Sequence, residues 1–230
     1  DEIGVMTNNF QTMSEKISTL IKENYQSQIT LKEAQLKALQ AQINPHFLYN
    51  CLSLINSRAL LTHQDDIGKM SQLMSTFYRT TLNKGKSGIL IKDEIKNVLA
   101  YLEIQQLLHD KVFSVQTEID PLLPDIRVPN LILQPLVENS IVHGILPKGK
   151  EGKLYLTVRR VENMLHFMVM DNGVGIPPEK IPTLTCTESN GYGLKNVNER
   201  LILTYGEQSA LKINSIPNES TMIVFKIPID

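Results

Sequence analysis

Two groups of residues in this chain have the types and spacing to do chemistry. The first centres on His46, which follows Pro45 in Gln-Ala-Gln-Ile-Asn-Pro-His-Phe-Leu-Tyr-Asn at positions 40–50. A neutral imidazole is a competent nucleophile near pH 7, because unperturbed histidine titrates at about 6.5. Proline inside a helix removes a hydrogen bond and costs about 3 kcal/mol unless compensated. The arrangement therefore predicts a bend with the imidazole beside it; a packed core histidine at a kink is the alternative. Asn50 stands four residues on, one helical turn away on the same face. Its amide either positions a water or supports the kink.

The second group lies in the C-terminal half and has three parts. Glu138-Asn139 sits on a predicted helix ending at His143-Gly144. Asp171-Asn172-Gly173-Val174-Gly175 follows a predicted strand. Gly191-Tyr192-Gly193-Leu194 opens another helix. Each part alone is ordinary, because Asp-Asn-Gly makes common turns and glycine serves any tight loop. Together they describe a nucleotide site. The Asp171 carboxylate accepts from an adenine amino group, and Gly173 and Gly175 let backbone approach the ring. Gly191 and Gly193 present backbone N–H groups and a helix N-terminus to phosphate. Lys195 adds a positive charge one residue into that helix. Asn139 offers a neutral oxygen to a Mg²⁺ that keeps several waters and leans on the phosphates. No Gly-x-x-x-x-Gly-Lys-Ser/Thr run occurs, so this is not a P-loop.

The elements that must position these groups are legible from periodicity. Ile3, Met6, Phe10, Met13, Ile17 and Leu20 alternate at spacings of three and four, the seam of a coiled coil. The apolar phase then shifts to Tyr25, Ile29, Leu36, Leu39 and Ile43, a local change of supercoil. The helix continues past Pro45 to Leu61. A second helix carries Ile67, Met70, Leu73, Met74, Phe77 and Leu82 on its apolar face. The two predict a helical hairpin, and two copies predict a four-helix bundle. Gly85 and Gly88 mark a turn, and Lys92-Asp93-Glu94 opens a helix to Leu108 with acidic residues where the dipole favours them. Beyond Val112, strands are predicted at 112–119, 153–160, 164–170, 210–215 and 221–228, with helices at 130–144 and 194–203. Helices mixed with an apparently antiparallel sheet predict an α+β sandwich. Ile176–Asn190, rich in Pro, Thr and Ser, reads as a lid over the nucleotide or as an ordered loop.

Composition narrows the classes. The net charge of −1 gives no electrostatic reason to propose nucleic acid. Two distant cysteines, Cys51 and Cys186, argue against a disulfide framework and suit a reducing compartment. No apolar run of about 18 residues is present, and no signal peptide is visible.

The residues carry a resemblance. Leu133–Gly144 looks like the N box of the GHKL ATP-binding fold, and Asp171–Gly175 and Gly191–Gly193 look like its G1 and G2 boxes. Gly193-Leu194-Lys195-Asn196-Val197-Asn198-Glu199-Arg200-Leu201 is close to LytS/YesM-type sensor histidine kinases. Their phosphoacceptor segment, Gln-Ile-Asn-Pro-His-Phe-Leu-Tyr-Asn, stands here at Gln42–Asn50.

The resemblance implies three parts: a signalling helix at 1–35, similar to the end of a HAMP module; a dimerisation and phosphotransfer hairpin at 36–88; and an ATP-binding domain at 89–230. It implies ATP and Mg²⁺ as ligands and His46 as phosphoacceptor. Asn139 would be the metal ligand, with His143, Asp171, Gly173, Gly175, Gly191, Gly193, Leu194 and Lys195 around the nucleotide. It further implies a homodimer, a response regulator receiver domain as partner, and a transmembrane sensor removed from the N-terminus. The chain would then be the cytoplasmic portion of a cell-membrane protein. Two positions depart from the pattern. Phe47 stands where many histidine kinases carry an acid, so another group must orient the imidazole or the step depends on solvent, and Glu138 is the candidate base. His143 stands where related N boxes often carry lysine. A GHKL-fold ATPase and a non-catalytic dimeric scaffold are the alternative functions.

Overall fold

The structure is a computed structural model that describes residues 45–81, 88–149, 151–184 and 192–229. The expected N-terminal coiled coil, the chain entering the bend at Pro45, and Gly191 lie outside these residues. From His46 onward the chain forms one compact unit.

Helices α1 (Pro45–Leu61) and α2 (Asp65–Thr81) form the predicted hairpin. Asp65 and Asp66 occupy the first turn of α2, where they favour the positive end of the helix dipole. Inside the hairpin, Leu52 and Ala59 are buried, and the buried Ser71 hydroxyl donates to the Leu52 carbonyl at 2.5 Å. The Tyr49 hydroxyl donates to the Tyr78 carbonyl at 3.2 Å. Other apolar residues stay in water: Phe47 is 67% exposed and Leu61 76%, with Leu54, Ile55, Leu60 and Ile67 also exposed.

Strand β1 (Ile89–Leu90) leads into helix α3 (Ile91–Leu108), which packs on α2. After β2 (Phe113–Ile119), the short strand β3 (Arg127–Val128) pairs with β1. A bent helix then spans 134–148. It comprises α4 (Gln134–Asn139), a π-helical turn (Ser140–Ile145) and α5 (Leu146–Lys148). Its local causes are readable. Pro135 sits at the start, where its missing N–H is no loss. Pro147 cannot donate to the carbonyl four residues back, and the helix widens just ahead of it. Gly149, at φ +62°, ends the run in the left-handed region.

Strands β4 (Gly152–Val161), β5 (Met164–Asp171), β6 (Lys212–Ile216) and β7 (Ser220–Pro228) complete a five-stranded sheet of order β2-β4-β5-β7-β6. The expected antiparallel sheet needs one correction: β2 pairs parallel to β4. A parallel pair requires a crossover, and the 134–148 helix lies within it. One sheet face, with Leu154, Leu156, Val158, Phe167, Val169, Ile223 and Phe225, packs against buried residues of α3, the bent helix and α7 (Tyr192–Tyr205). Phe167 and Phe225, cross-strand partners, stack with ring centroids 4.5 Å apart. Between β5 and α7, a 3₁₀ turn at Pro178–Lys180 and helix α6 (Ile181–Leu184) occupy the first part of the expected lid. Among the described residues, no helix is long and apolar enough to cross a membrane.

Candidate functional site

The loop after β5 is built around one buried carboxylate. Asp171 is 1% exposed. It accepts from the Gly173 backbone N–H at 2.9 Å and from the Ser140 hydroxyl. Burial pushes its carboxyl above the usual aspartate range; the Gly173 and Ser140 hydrogen bonds and the Lys148 ammonium pull it back. Lys148 Nζ donates to the Asn172 carbonyl, and Asn172 Oδ1 accepts from the Lys153 N–H at 2.7 Å. Lys148 thus holds a positive charge beside Asp171. Nothing in its sequence context marks it, because the bent helix had to be known before residue 148 could be placed under the β5 loop.

The glycines of this loop are required by the chain's own packing. A Cβ on Gly173 would collide with the Gly144 backbone, and one on Gly144 would stand 2.7 Å from Asp171 Oδ1. The Val174 N–H donates to the Gly144 carbonyl at 3.0 Å. Gly175 has φ +66°, and a Cβ there would strike the Ile216 carbonyl oxygen. The Asn218 N–H to Val174 carbonyl bond (2.6 Å) and the Ile176 N–H to Ser215 Oγ bond (2.8 Å) tie the loop to the β6–β7 turn. The π-helical turn brings Gly144 against Asp171, and such turns cluster at functional sites. Gly144 closes the sequence motif without having been singled out as a site residue.

The N box and the G2 turn meet. Asn139 Nδ2 donates to the Pro135 carbonyl at 2.6 Å, a bond in which its Oδ1 takes no part. A Cβ on Gly193 would lie 3.5 Å from Asn139 Nδ2 and 3.7 Å from Pro135 Cβ. The amide therefore faces the first turn of α7. Leu194 is 6% exposed and its side chain belongs to the core, which leaves its backbone as the part a ligand could meet. Lys195 Nζ lies 3.8 Å from Glu199 Oε1 on the same helix, sharing its charge there. His143 and Glu138 are both exposed. The Glu138 charge lies close enough to the buried Tyr101 phenol to add to the effect of burial, and the phenol is pushed up to about 12.

A second carboxylate organises the start of the bent helix. Glu94, on α3, is 1% exposed. Its Oε1 accepts from the Ile132 and Leu133 N–H groups at 2.7 and 2.9 Å, and its Oε2 from the Leu131 N–H at 3.0 Å. From α7, Arg200 Nη1 donates to the Asn130 carbonyl at 2.5 Å, and Nη2 to the Leu131 carbonyl at 2.8 Å. The sequence marks Glu94 only as an acid in a first turn; its real partners lie 37 to 39 residues away.

On the hairpin, His46 is exposed, and Asn50 Nδ2 lies 3.3 Å from His46 Nδ1. An amide is thus present to orient the ring in place of the acid that Phe47 replaces. Among the described residues, no group of three or more His, Cys, Asp or Glu forms a metal cluster. The Asn139 oxygen, a hard neutral donor, fits a Mg²⁺ shared with phosphates.

A histidine kinase family model matches residues 34–113, and the model for histidine kinase-, DNA gyrase B- and HSP90-like ATPases matches residues 125–230. The sensor histidine kinase YesM of Bacillus subtilis (strain 168) is 35% identical over 228 residues, 99% of this chain and 39% of that protein. The sensor protein LytS of the same organism is 34% identical over 204 residues, 86% of this chain and 34% of that protein. The chain therefore spans well under half the length of these relatives. The histidine kinase domain of the Erythrobacter litoralis EL346 blue-light activated histidine kinase superposes with a TM-score of 0.48 at 16% identity, covering 80% of this chain and 96% of that one. With a histidine kinase match followed by an ATPase match over a GHKL-type α+β fold, the chain belongs to the histidine kinases of the LytS and YesM type.

Proposed function

We propose that this chain is the core of a protein histidine kinase: it binds Mg²⁺-ATP in the sheet domain and transfers the γ-phosphoryl group to His46. The observation that carries this reading is the meeting of Asn139, Gly193, Asp171 and Gly144 at one end of the sheet and bent helix. In it, the Asp171 carboxylate accepts from the adenine amino group, and the Asn139 oxygen and the first turn of α7 attend the metal and phosphates. Mg²⁺ supplies charge neutralisation on the phosphate oxygens.

At the hairpin, a ring nitrogen lone pair forms the new P–N bond as the bond to the bridging oxygen breaks and ADP leaves. The amide oxygen and nitrogen of Asn50 can exchange places by rotation. With the oxygen turned to Nδ1–H, the lone pair is held at Nε2. Asn50 thus does the orienting that an acid at position 47 does elsewhere. Glu138, beside Asn139, is the candidate to receive the proton.

The exposed apolar residues of α1 and α2 are covered by a second copy, so the working unit is a homodimer built on the 36–88 hairpin. The phosphoryl group then passes to an aspartate of a response regulator receiver domain. The chain spans well under half the length of its relatives, and in this reading it is joined to a sensor on the cytoplasmic side of a membrane. Incubation with γ-labelled ATP tests the reading: acid-labile, alkali-stable label on the protein, lost in His46→Gln, is the expected result. Nucleotide turnover without label identifies an ATPase instead, and neither binding nor label identifies a scaffold.

A further inference from the structure

The peptide segment 130–133 is gripped from two sides. On one, the Glu94 carboxylate gathers three successive N–H groups. On the other, the Arg200 guanidinium spans two successive carbonyls. The Leu131 residue is shared: its N–H goes to Glu94 and its C=O to Arg200. Leu131 also sits at φ +58°, a left-handed conformation that a non-glycine residue keeps only where its surroundings enforce it. Neighbouring bonds reinforce the grip, since the Ile91 N–H donates to the Ile126 carbonyl at 3.0 Å and the Tyr205 hydroxyl to the Arg127 carbonyl at 3.2 Å.

The gripped segment leads directly into α4, and α4 ends at Asn139. Arg200 belongs to the helix whose first turn carries Gly193. Glu94 belongs to α3, which packs on the hairpin. One peptide therefore lies between all three.

We propose that Glu94 and Arg200 are positioning residues for the nucleotide: acting on the 130–133 peptide from opposite sides, they set the Asn139 amide against the Gly193 turn. This rests on the reading of Asn139 and Gly193 as nucleotide partners. The clamp explains why a carboxylate is buried without a side-chain cation in direct contact. Burial pushes the Glu94 carboxyl up, and the three N–H bonds and the Arg200 charge pull it back; a protonated Glu94 could not accept all three bonds equally.

The chemistry of the two residues supplies selective variants. In Glu94→Gln, the amide oxygen can take the Oε1 place and keep the Ile132 and Leu133 bonds, while its NH₂ meets the Leu131 N–H donor to donor. In Arg200→Lys, the charge remains, but one ammonium lacks the planar fork that spans two carbonyls. The whole chain is used, with the KM for ATP and kcat of His46 labelling, the affinity for a non-hydrolysable ATP analogue by calorimetry, and the thermal midpoint measured together.

The expected result is that each variant raises the KM and the analogue's Kd by about tenfold with kcat within about twofold. The double variant should be little worse than either single, because both break one clamp. Arg159→Lys, at a surface ion pair with Glu118, should change none of these. Unchanged affinity in both variants, effects that multiply, a fall in kcat alone, or a lower midpoint with normal affinity per folded molecule would each overturn the clamp. Arg200→Lys carries the test alone should Glu94→Gln not fold. Absence of label on the parent protein defeats the kinase reading, whereas unchanged analogue affinity in the variants defeats only the clamp.

Discussion

Asn50 Nδ2 stands 3.3 Å from His46 Nδ1, one helical turn away on an exposed face. The pair places a polar amide within hydrogen-bonding distance of the imidazole. Replacing Asn50 with leucine, similar in size and without a polar group, should lower kcat for His46 labelling by about tenfold and leave the KM for ATP unchanged. Asn50→Asp keeps an acceptor and should retain most of the rate. A rise in KM with normal kcat would place Asn50 in nucleotide binding instead.

Gly144 and Gly149 separate packing from backbone strain. A methyl at Gly144 would stand 2.7 Å from Asp171 Oδ1. Gly144→Ala is expected to cost about 1–3 kcal/mol of stability and to weaken ATP binding by displacing the carboxylate. Gly149 has open space around it but φ +62°. Gly149→Ala should cost about 1 kcal/mol with ATP affinity intact. Urea melts and calorimetry on both variants check the contrast.

Asp171 is held above its ordinary value of 3.8, chiefly by burial. A carboxyl raised on folding adds stability that is fully present below the unfolded value and lost as the pH rises through the folded one. Asp171→Asn removes that loss, and its amide oxygen can still accept from Gly173. Its stability relative to the parent should therefore be greater at about pH 7 than at about pH 4, while ATP affinity falls by about tenfold or more. Thermal melts across the range give the sign; a relative stability that falls with pH contradicts it.

Asn97 lies on α3 at 1% exposure, with neither side-chain polar atom hydrogen-bonded. An unpaired buried amide costs about 1–3 kcal/mol. Asn97→Leu, close in volume, should raise the unfolding free energy by about 1–2 kcal/mol. Unfolding in denaturant measures it, and a loss would indicate that a partner occupies the amide in solution.

Most of this architecture was legible because it rests on short-range regularities. The strands around Glu162-Asn163 alternate in the sequence and do so in the sheet, and the helix containing Val197 and Leu201 shows its apolar period. The three motif segments could be recognised for the same reason, since each is a contiguous run of turn-forming residues beside a regular element. Strand direction was less accessible. The parallel pairing of β2 with β4 follows from the helix between them, yet alternation alone carries no direction. The π-helical turn before Pro147, the left-handed Leu131 and the partners of Glu94 were hidden for a common reason: each is settled by atoms distant in the chain. Leu194 shows the converse. Its place in a glycine-flanked motif marked it as a contact, while its apolar side chain was claimed by the core.

The ATPase family match begins at residue 125, yet the amides that begin its first long helix are satisfied by an oxygen pair belonging to the preceding match, which ends at residue 113. The edge strand Phe113–Ile119 likewise falls almost wholly in the interval between them. Excising the later portion at its sequence-defined border would leave three bare backbone donors and an unclosed sheet margin, so the smallest autonomous nucleotide-binding piece must start upstream of residue 94.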